Sequence, residues 1–167
     1  MANSSPDQNK TPDRIKWLTD LIRLEIVLWD RIDARLRQEN NLSLAFFELL
    51  YLLLQEREKS LRVGDIARKL RVTVGGTSKL VDRVERAGYI RREIDPTNRR
   101  ASLIALTASG EKAVTLAAET YEAEMKAVLD GVLETQEHRQ MHEMVERLLK
   151  ANSKPEKEPA EGESGPV

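Results

Sequence analysis

"VGDIARKLRVTVGGTSKLVDRVERAG", residues 63–88, is the stretch that decides the fold. Its first eight residues put Val63, Ile66, Ala67 and Leu70 on one face of a short helix, with Arg68 and Lys69 on the other. After the brief turn at Arg71-Val72, Thr73 is a fair N-cap for a second helix, and Gly88 is its C-terminal stop. Thr77, Leu80, Val81, Val84 and Ala87 recur at three- and four-residue steps and form the expected buried face. Gly75, Gly76, Ser78, Lys79, Asp82, Arg83 and Arg86 are left facing outward. Two short helices joined by a tight turn make a helix-turn-helix, whose second helix enters the DNA major groove with its N-terminal residues at the base edges.

The adjacent glycines are costly where they stand, each about 1 kcal/mol less favourable than alanine inside a helix. Their expected return is close approach. Without side chains at Gly75 and Gly76 the backbone can come near phosphates and base edges, leaving Thr73, Thr77, Ser78 and Lys79 to make polar contacts. Two other readings stand beside this one. Glycines that merely let this helix pack tightly on another would have to face inward. A phosphate-cradling nucleotide loop would need Gly, four residues, then Gly-Lys-Ser/Thr after a strand, whereas the order here is Gly-Gly-Thr-Ser-Lys after a helix.

Downstream, "YIRREI" (89–94) and "SLIAL" (102–106) alternate polar and apolar residues, and "DPTNRR" (95–100) between them carries turn chemistry. A hairpin follows, with Arg99 and Arg100 at its tip or just beyond. Such a basic wing is able to reach a neighbouring minor groove, where narrow A/T-rich stretches attract arginine.

Upstream, "TPDR" predicts a helix start with Thr11 as N-cap, Pro12 at the first helical position and Asp13 in the first turn. Ile15, Leu18, Ile22, Ile26, Trp29, Ile32 and Leu36 then mark one stripe, which would stay wet without a partner. Ser43 opens a helix that is apolar on nearly every side, Phe46, Phe47, Leu49, Leu50, Leu52, Leu53 and Leu54, and so belongs at the centre of a core. Thr107 opens another helix, with Val114, Leu116, Tyr121, Met125, Val128 and Leu129 as its apolar positions, running to about Gly131. The last begins near Thr135 and lines up Met141, Val145 and Leu148. The expected fold class is mainly α with a small β-hairpin wing. Residues 1–10 and 151–167 are polar or rich in Pro, Glu and Gly and are expected to be disordered. The single folded domain would span 11–150, with a winged helix-turn-helix at 43–106 flanked by the helical segments 11–40 and 107–150.

Composition agrees. The 167 residues are 33% charged and only 4% aromatic, which suits amphipathic helices in one domain. The absence of cysteine excludes disulfides, thiolate zinc sites and cysteine-based peroxide sensing, and points to a reducing, cytoplasmic setting. The longest apolar run, Leu49 to Leu54, is far short of the roughly 20 residues of a membrane span, and Met1 to Lys10 lacks a signal-peptide core. Net charge is only -1, but its distribution is uneven. Residues 62–100 hold eleven Lys/Arg against five Asp/Glu, net +6, whereas 107–150 hold five against nine, net -4. A basic region inside a neutral protein is the asymmetry expected of a nucleic-acid footprint, against the plainer reading of a solvated charged face.

In order and spacing, "LRVGDIARKLRVTVGGTSKLVDRVERAGYIRREIDPTNRRASLIALTASG" (61–110) resembles the MarR family of winged-helix transcription regulators. It has the family's short helix, recognition helix ending in an Arg-x-Gly-type stop, Asp-Pro wing and Leu-Thr-x-x-Gly helix opening. The resemblance implies a homodimer whose first and last helices interlock, bound to a near-palindromic double-stranded DNA site with recognition helices about 10 bp apart. No cofactor and no catalysis are expected of this chain. The family's wing Asp-Arg-Arg falls on Asn98-Arg99-Arg100, making Arg100 the candidate for the minor groove and Arg99 for the backbone. The aspartate that usually braces the arginine is replaced by Asn98, and Asp95 is a candidate substitute. Lys79 and Arg83 complete the expected DNA contacts. Relatives bind small aromatic or phenolic anions in a cleft between the dimer helices and the winged domain, so Trp17, Arg23, Trp29, Phe47 and Tyr51 are candidate effector contacts, against the simpler reading of these rings as core. His138 and His142, four apart on the last helix, have the spacing to share a metal, but no His-Glu-x-x-His accompanies them, and no metal is expected. No nucleophile elbow or Ser-His-Asp constellation is present either. A dimerisation or adaptor module that uses a winged helix for protein contact is the rival reading.

Overall fold

Asp13 turns its carboxylate back onto the N–H groups of Ile15 and Lys16, at 2.9 and 3.3 Å, and so starts the 27-residue helix α1 (Arg14–Asn40). The cap expected at Thr11 is therefore at Asp13, two residues later; Thr11 and Pro12 lie outside the described residues. The computed structural model describes residues 13–152. After α1 come α2 (Leu44–Gln55), β1 (Ser60–Arg62), α3 (Val63–Leu70), α4 (Val74–Arg86), β2 (Ile90–Asp95), β3 (Asn98–Leu106), α5 (Ala108–Leu129) and α6 (Thr135–Asn152). Ala151 and Asn152, assigned to the tail by composition, complete α6. The chain divides at Met125/Lys126 into two compact units.

In the first unit α2 is the centre, as its all-round apolar surface requires. It buries Leu44, Phe47, Leu49, Leu50 and Leu53. Around it are Ile32 and Leu36 of α1, Ile66 of α3, Val81 and Val84 of α4, Ile90, Ile104 and Leu106 of the sheet, and Val114 and Ala117 of α5. Truncating a fully buried leucine here, Leu50→Ala for instance, would cost about 2–5 kcal/mol. Two polar caps hold the entry to α2. Ser43 Oγ accepts from Phe46 N–H at 3.3 Å, and Asp33 of α1 accepts from Leu44 N–H at 2.7 Å.

The sheet is three-stranded and antiparallel, in the order β1-β3-β2. β1 was not foreseen; its Ser60, Leu61 and Arg62 pair with Ala105, Ile104 and Leu103. Three residues contain too little alternation to declare a strand by themselves. β3 also starts earlier than the pattern suggested, at Asn98, so the turn shrinks to Pro96-Thr97. Arg99 and Arg100 thus belong to the strand leaving the turn.

Two expected core positions are exposed. Ala87 is the C-cap of α4 and has left the core with the end of the helix. Leu116 is 49% exposed because it lies two residues, about 200°, around α5 from the buried Val114. The exit of α4 is closely fitted. Gly88 has φ +81°, the Thr107 hydroxyl donates to Gly88 O at 2.8 Å, and a Cβ on Gly110 would stand 1.9 Å from Tyr89 O. Only glycine at 110 lets the first turn of α5 approach that backbone.

The apolar stripe of α1 is bare along its N-terminal half. Ile15, Leu18, Ile22 and Ile26 are each more than half exposed. In the second unit α6 buries no residue, and Met144, Leu148 and Leu149 stand about half exposed.

Candidate nucleic-acid interface

The turn before α4 is made by Arg71, which takes the left-handed conformation at φ 56° and ends α3, while Val72 N–H donates back to Ala67 O at 3.0 Å. Thr73 then caps α4 as expected: its Oγ1 accepts from Gly76 N–H at 3.1 Å. Thr77, Val81 and Val84 face the core. Gly75, Lys79, Asp82 and Arg86, at steps of four, three and four, form an exposed outer stripe with Arg83 on its flank.

The glycines are outward, which removes the tight-packing explanation. A Cβ on Gly75 would meet nothing within 4 Å, so no neighbour within this chain demands glycine there. At Gly76 a Cβ would be 3.1 Å from Thr73 Oγ1, against the cap itself.

The hydroxyls are less available than the sequence suggested. Thr77 is fully buried and donates to Thr73 O at 3.0 Å, so it holds the helix start together and leaves the set of surface contacts. Ser78 is half-buried and donates to Val74 O at 3.0 Å, keeping only its acceptor lone pairs for outside partners. Thr73 is exposed, with its hydroxyl proton still to give. Lys79 is exposed and, among the described residues, unpaired. The Arg83 guanidinium lies over the Phe46 ring, 5.3 Å from its centroid, a cation–π contact that fixes where its charge is held.

Val74 was missed. It is seven residues before Val81 and shares its stripe, yet is 58% exposed because the core ends at Thr77. The available signal was an apolar residue at the first position after an N-cap, ahead of the first buried one.

Much of the basic charge is tied internally. Arg62 pairs with Asp95, Arg68 with Asp65, Lys69 with Glu56, Arg91 with Glu93, and Arg92 with both Asp82 and Glu85. The Arg92 pairs cross from β2 to α4, at 2.5 Å for Asp82, and tie the wing to the second helix of the motif. Five cations are thereby committed, while on the outer stripe Lys79 has no ion pair among the described residues and Arg86 donates its Nε–H to Asp82 O at 3.1 Å.

At the wing's turn Asp95 is buried and braces Arg62, whose Nε donates to it at 2.6 Å. It also accepts from the Thr97 N–H at 2.8 Å and hydroxyl at 2.7 Å. Among the described contacts Asp95 thus joins Thr97 and Arg62. The Thr97 hydrogen bonds first, then the Arg62 guanidinium, lower the Asp95 carboxyl from 3.8 to about 2. The side chains of Arg99 and Arg100 lie outside the described residues.

Of the candidate effector contacts, Phe47 and Tyr51 line a groove of about 940 Å³ between α2 and α5, with Glu48, Leu52, Leu70 and Tyr121. Trp29 lines an adjoining groove of about 330 Å³ that shares Glu48 and Tyr121. Trp17 and Arg23 line neither; Trp17 is half exposed, and Arg23 is 3.4 Å from Asp20 on the surface of α1. The lining of the adjoining groove begins at Leu21, one helical turn after Trp17, and Arg23 lies two residues, about 200°, around α1 from Leu21 and from Glu25. His138 and His142 are exposed on α6, His142 3.4 Å from Glu146, and no cluster of three metal-ligating side chains occurs among the described residues. No described helix is long and apolar enough to cross a membrane.

Comparison with known proteins agrees with this geometry. The profile of the MarR family matches residues 42–102. An uncharacterized HTH-type transcriptional regulator of Bacillus cereus is 30% identical over 138 residues, 78% of this chain and 92% of that protein. Sco3205, a MarR family transcriptional regulator from Streptomyces coelicolor solved in complex with DNA, shares the fold with a TM-score of 0.77 at 20% identity, over 90% of this chain and 95% of that one. CouR from Rhodococcus jostii, solved bound to p-coumaroyl-CoA, has a TM-score of 0.69 at 22% identity, over 83% of this chain and 92% of that one. With a relative of this similarity matched over nearly its whole length, and the winged helix-turn-helix in place, the chain belongs to the MarR family of transcriptional regulators, DNA-binding proteins rather than enzymes.

Proposed function

We propose that this regulator is a homodimeric repressor that binds a near-palindromic double-stranded DNA site and is released by a small molecule held in the α2–α5 groove. The observation that carries the DNA-binding surface is the first turn of α4: exposed, capped by Thr73, open at Gly75 and flanked by an unpaired Lys79. The Gly75 and Gly76 backbone approaches the DNA, Lys79 and Arg83 hold phosphates, and Thr73 and Ser78 supply what polar contact their hydroxyls have left. Thr77 acts from inside by keeping the turn closed. Val74, next to the glycines, supplies the apolar contact a thymine methyl takes. Arg100 reaches the minor groove and Arg99 the backbone, as the family's wing motif implies. Sco3205 bound to DNA and CouR bound to a CoA ester support the two halves of this reading.

The test is a mobility shift on the DNA upstream of the protein's own gene, with excess competitor and at two salt concentrations. Specific binding with two protected half-sites about 10 bp apart is expected. Weak, sequence-blind and strongly salt-dependent binding, or none, would overturn it. Arg100→Ala is expected to lower affinity and to weaken A/T preference beside the half-sites.

A further inference from the structure

The α2–α5 groove has a charge that the sequence could not locate. Its walls bring Glu48, Glu56, Glu119 and Glu122 together with a single cation, Lys69. Lys69 is already 3.0 Å from Glu56. Glu48, Glu119 and Glu122 have no ion pair among the described residues, and the adjoining groove adds Glu25. The floor is aromatic. Phe47 stacks with both Tyr51 and Tyr121, with ring centroids 5.3 and 5.1 Å away and planes within 18° and 16° of parallel.

We infer that this groove is a binding site for a lipophilic organic cation, a ring-bearing amine or onium ion, in place of the aromatic anion expected of the family. The inference rests on the reading of the groove as the effector site. Stacked rings offer π faces that attract a cation and repel an anion. Three carboxylates without counter-ions act in the same direction, and an anion such as a CoA ester would enter against all of them. The groove's volume of about 940 Å³ holds a drug-sized molecule. Burial, and then the neighbouring Glu25, raise the Glu48 carboxyl above its usual range, and burial followed by the Glu48 charge raises the Tyr121 hydroxyl. Glu48 lacks the counter-charge that a bound cation brings. The groove also reaches Lys69 and Leu70, the last turn of α3, so its occupant touches the helix that positions α4.

Tetraphenylphosphonium and tetraphenylborate, nearly equal in shape and opposite in charge, separate this proposal from simple apolar binding. In calorimetric titrations of the full chain in sodium buffer, saturable binding of the phosphonium and none of the borate is expected. The triple variant Glu48→Gln, Glu119→Gln, Glu122→Gln is expected to weaken the phosphonium about tenfold or more, and Tyr51→Ala severalfold. Equal or tighter binding of the borate, no binding of either ion, or phosphonium binding unchanged in both variants would overturn the site. A mobility shift with operator DNA then reads the coupling separately. Release by the phosphonium supports the effector role; binding that leaves the DNA complex intact upholds the cation site and overturns release.

Discussion

Gly75 sets helix stability against function at one residue. Because a Cβ there meets nothing within 4 Å, Gly75→Ala is expected to stabilise the protein by about 0.5–1 kcal/mol, seen as a raised melting temperature. On the proposed docking of α4 the same methyl would stand where the backbone approaches DNA, so operator affinity is expected to fall about tenfold, roughly 1.4 kcal/mol. A stabilised variant with unchanged affinity would remove close approach as the reason for glycine. Its neighbour Val74 has a cleaner probe in the DNA. Replacing a contacted thymine by uracil deletes only the methyl and is expected to cost wild type about 0.8 kcal/mol, roughly fourfold, and Val74→Ala almost nothing. An equal loss in both proteins would place the methyl elsewhere. The outward glycines and the Thr73 cap were legible from three- and four-residue spacing. Committed hydroxyls were not, since whether Ser78 donates to Val74 O is decided by rotamers.

At the scale of elements, the wing is held by Asp95 and by the crossing Arg92 pairs. Asp95 has a folded-state pKa of about 2, below its ordinary 3.8, so its ionised form is favoured by folding. That contribution is fully present above 3.8 and is lost as pH falls through it toward about 2. The melting temperature of Asp95→Asn is therefore expected to lie below that of wild type at neutral pH, with the gap closing in acid; a gap independent of pH would assign the loss to packing alone. The helices were readable as elements because each carries its own cap and stripe, Ser43 and Thr73 being the clearest. β1 was hidden because a three-residue strand exists only through pairing with Leu103, Ile104 and Ala105. The role of Asp95 was hidden for the same reason, its partner Arg62 being 33 residues away.

For the whole molecule, the bare stripes of α1 and α6 argue for a second copy of the chain, since burying the exposed half of such a side chain is worth about 1 kcal/mol. Sedimentation is expected to give about twice 19.0 kDa for wild type and a shift toward monomer for Ile22→Glu and for Leu148→Glu. Helicity by circular dichroism should hold in both, because both positions are about half exposed within the single chain. A monomeric wild type would leave the stripes unexplained. The sequence by itself determined the order of helices, the helix-turn-helix, the wing and the exposed faces, because capping and amphipathic period are written within a few neighbouring residues. Only the tertiary structure decided which basic side chains are already paired, that Thr77 is buried, that Trp17 and Arg23 line neither groove, and that Glu48 of α2 meets Glu119 and Glu122 of α5 in one groove. Those are distances between residues far apart in the chain, and they exist only once the helices have packed.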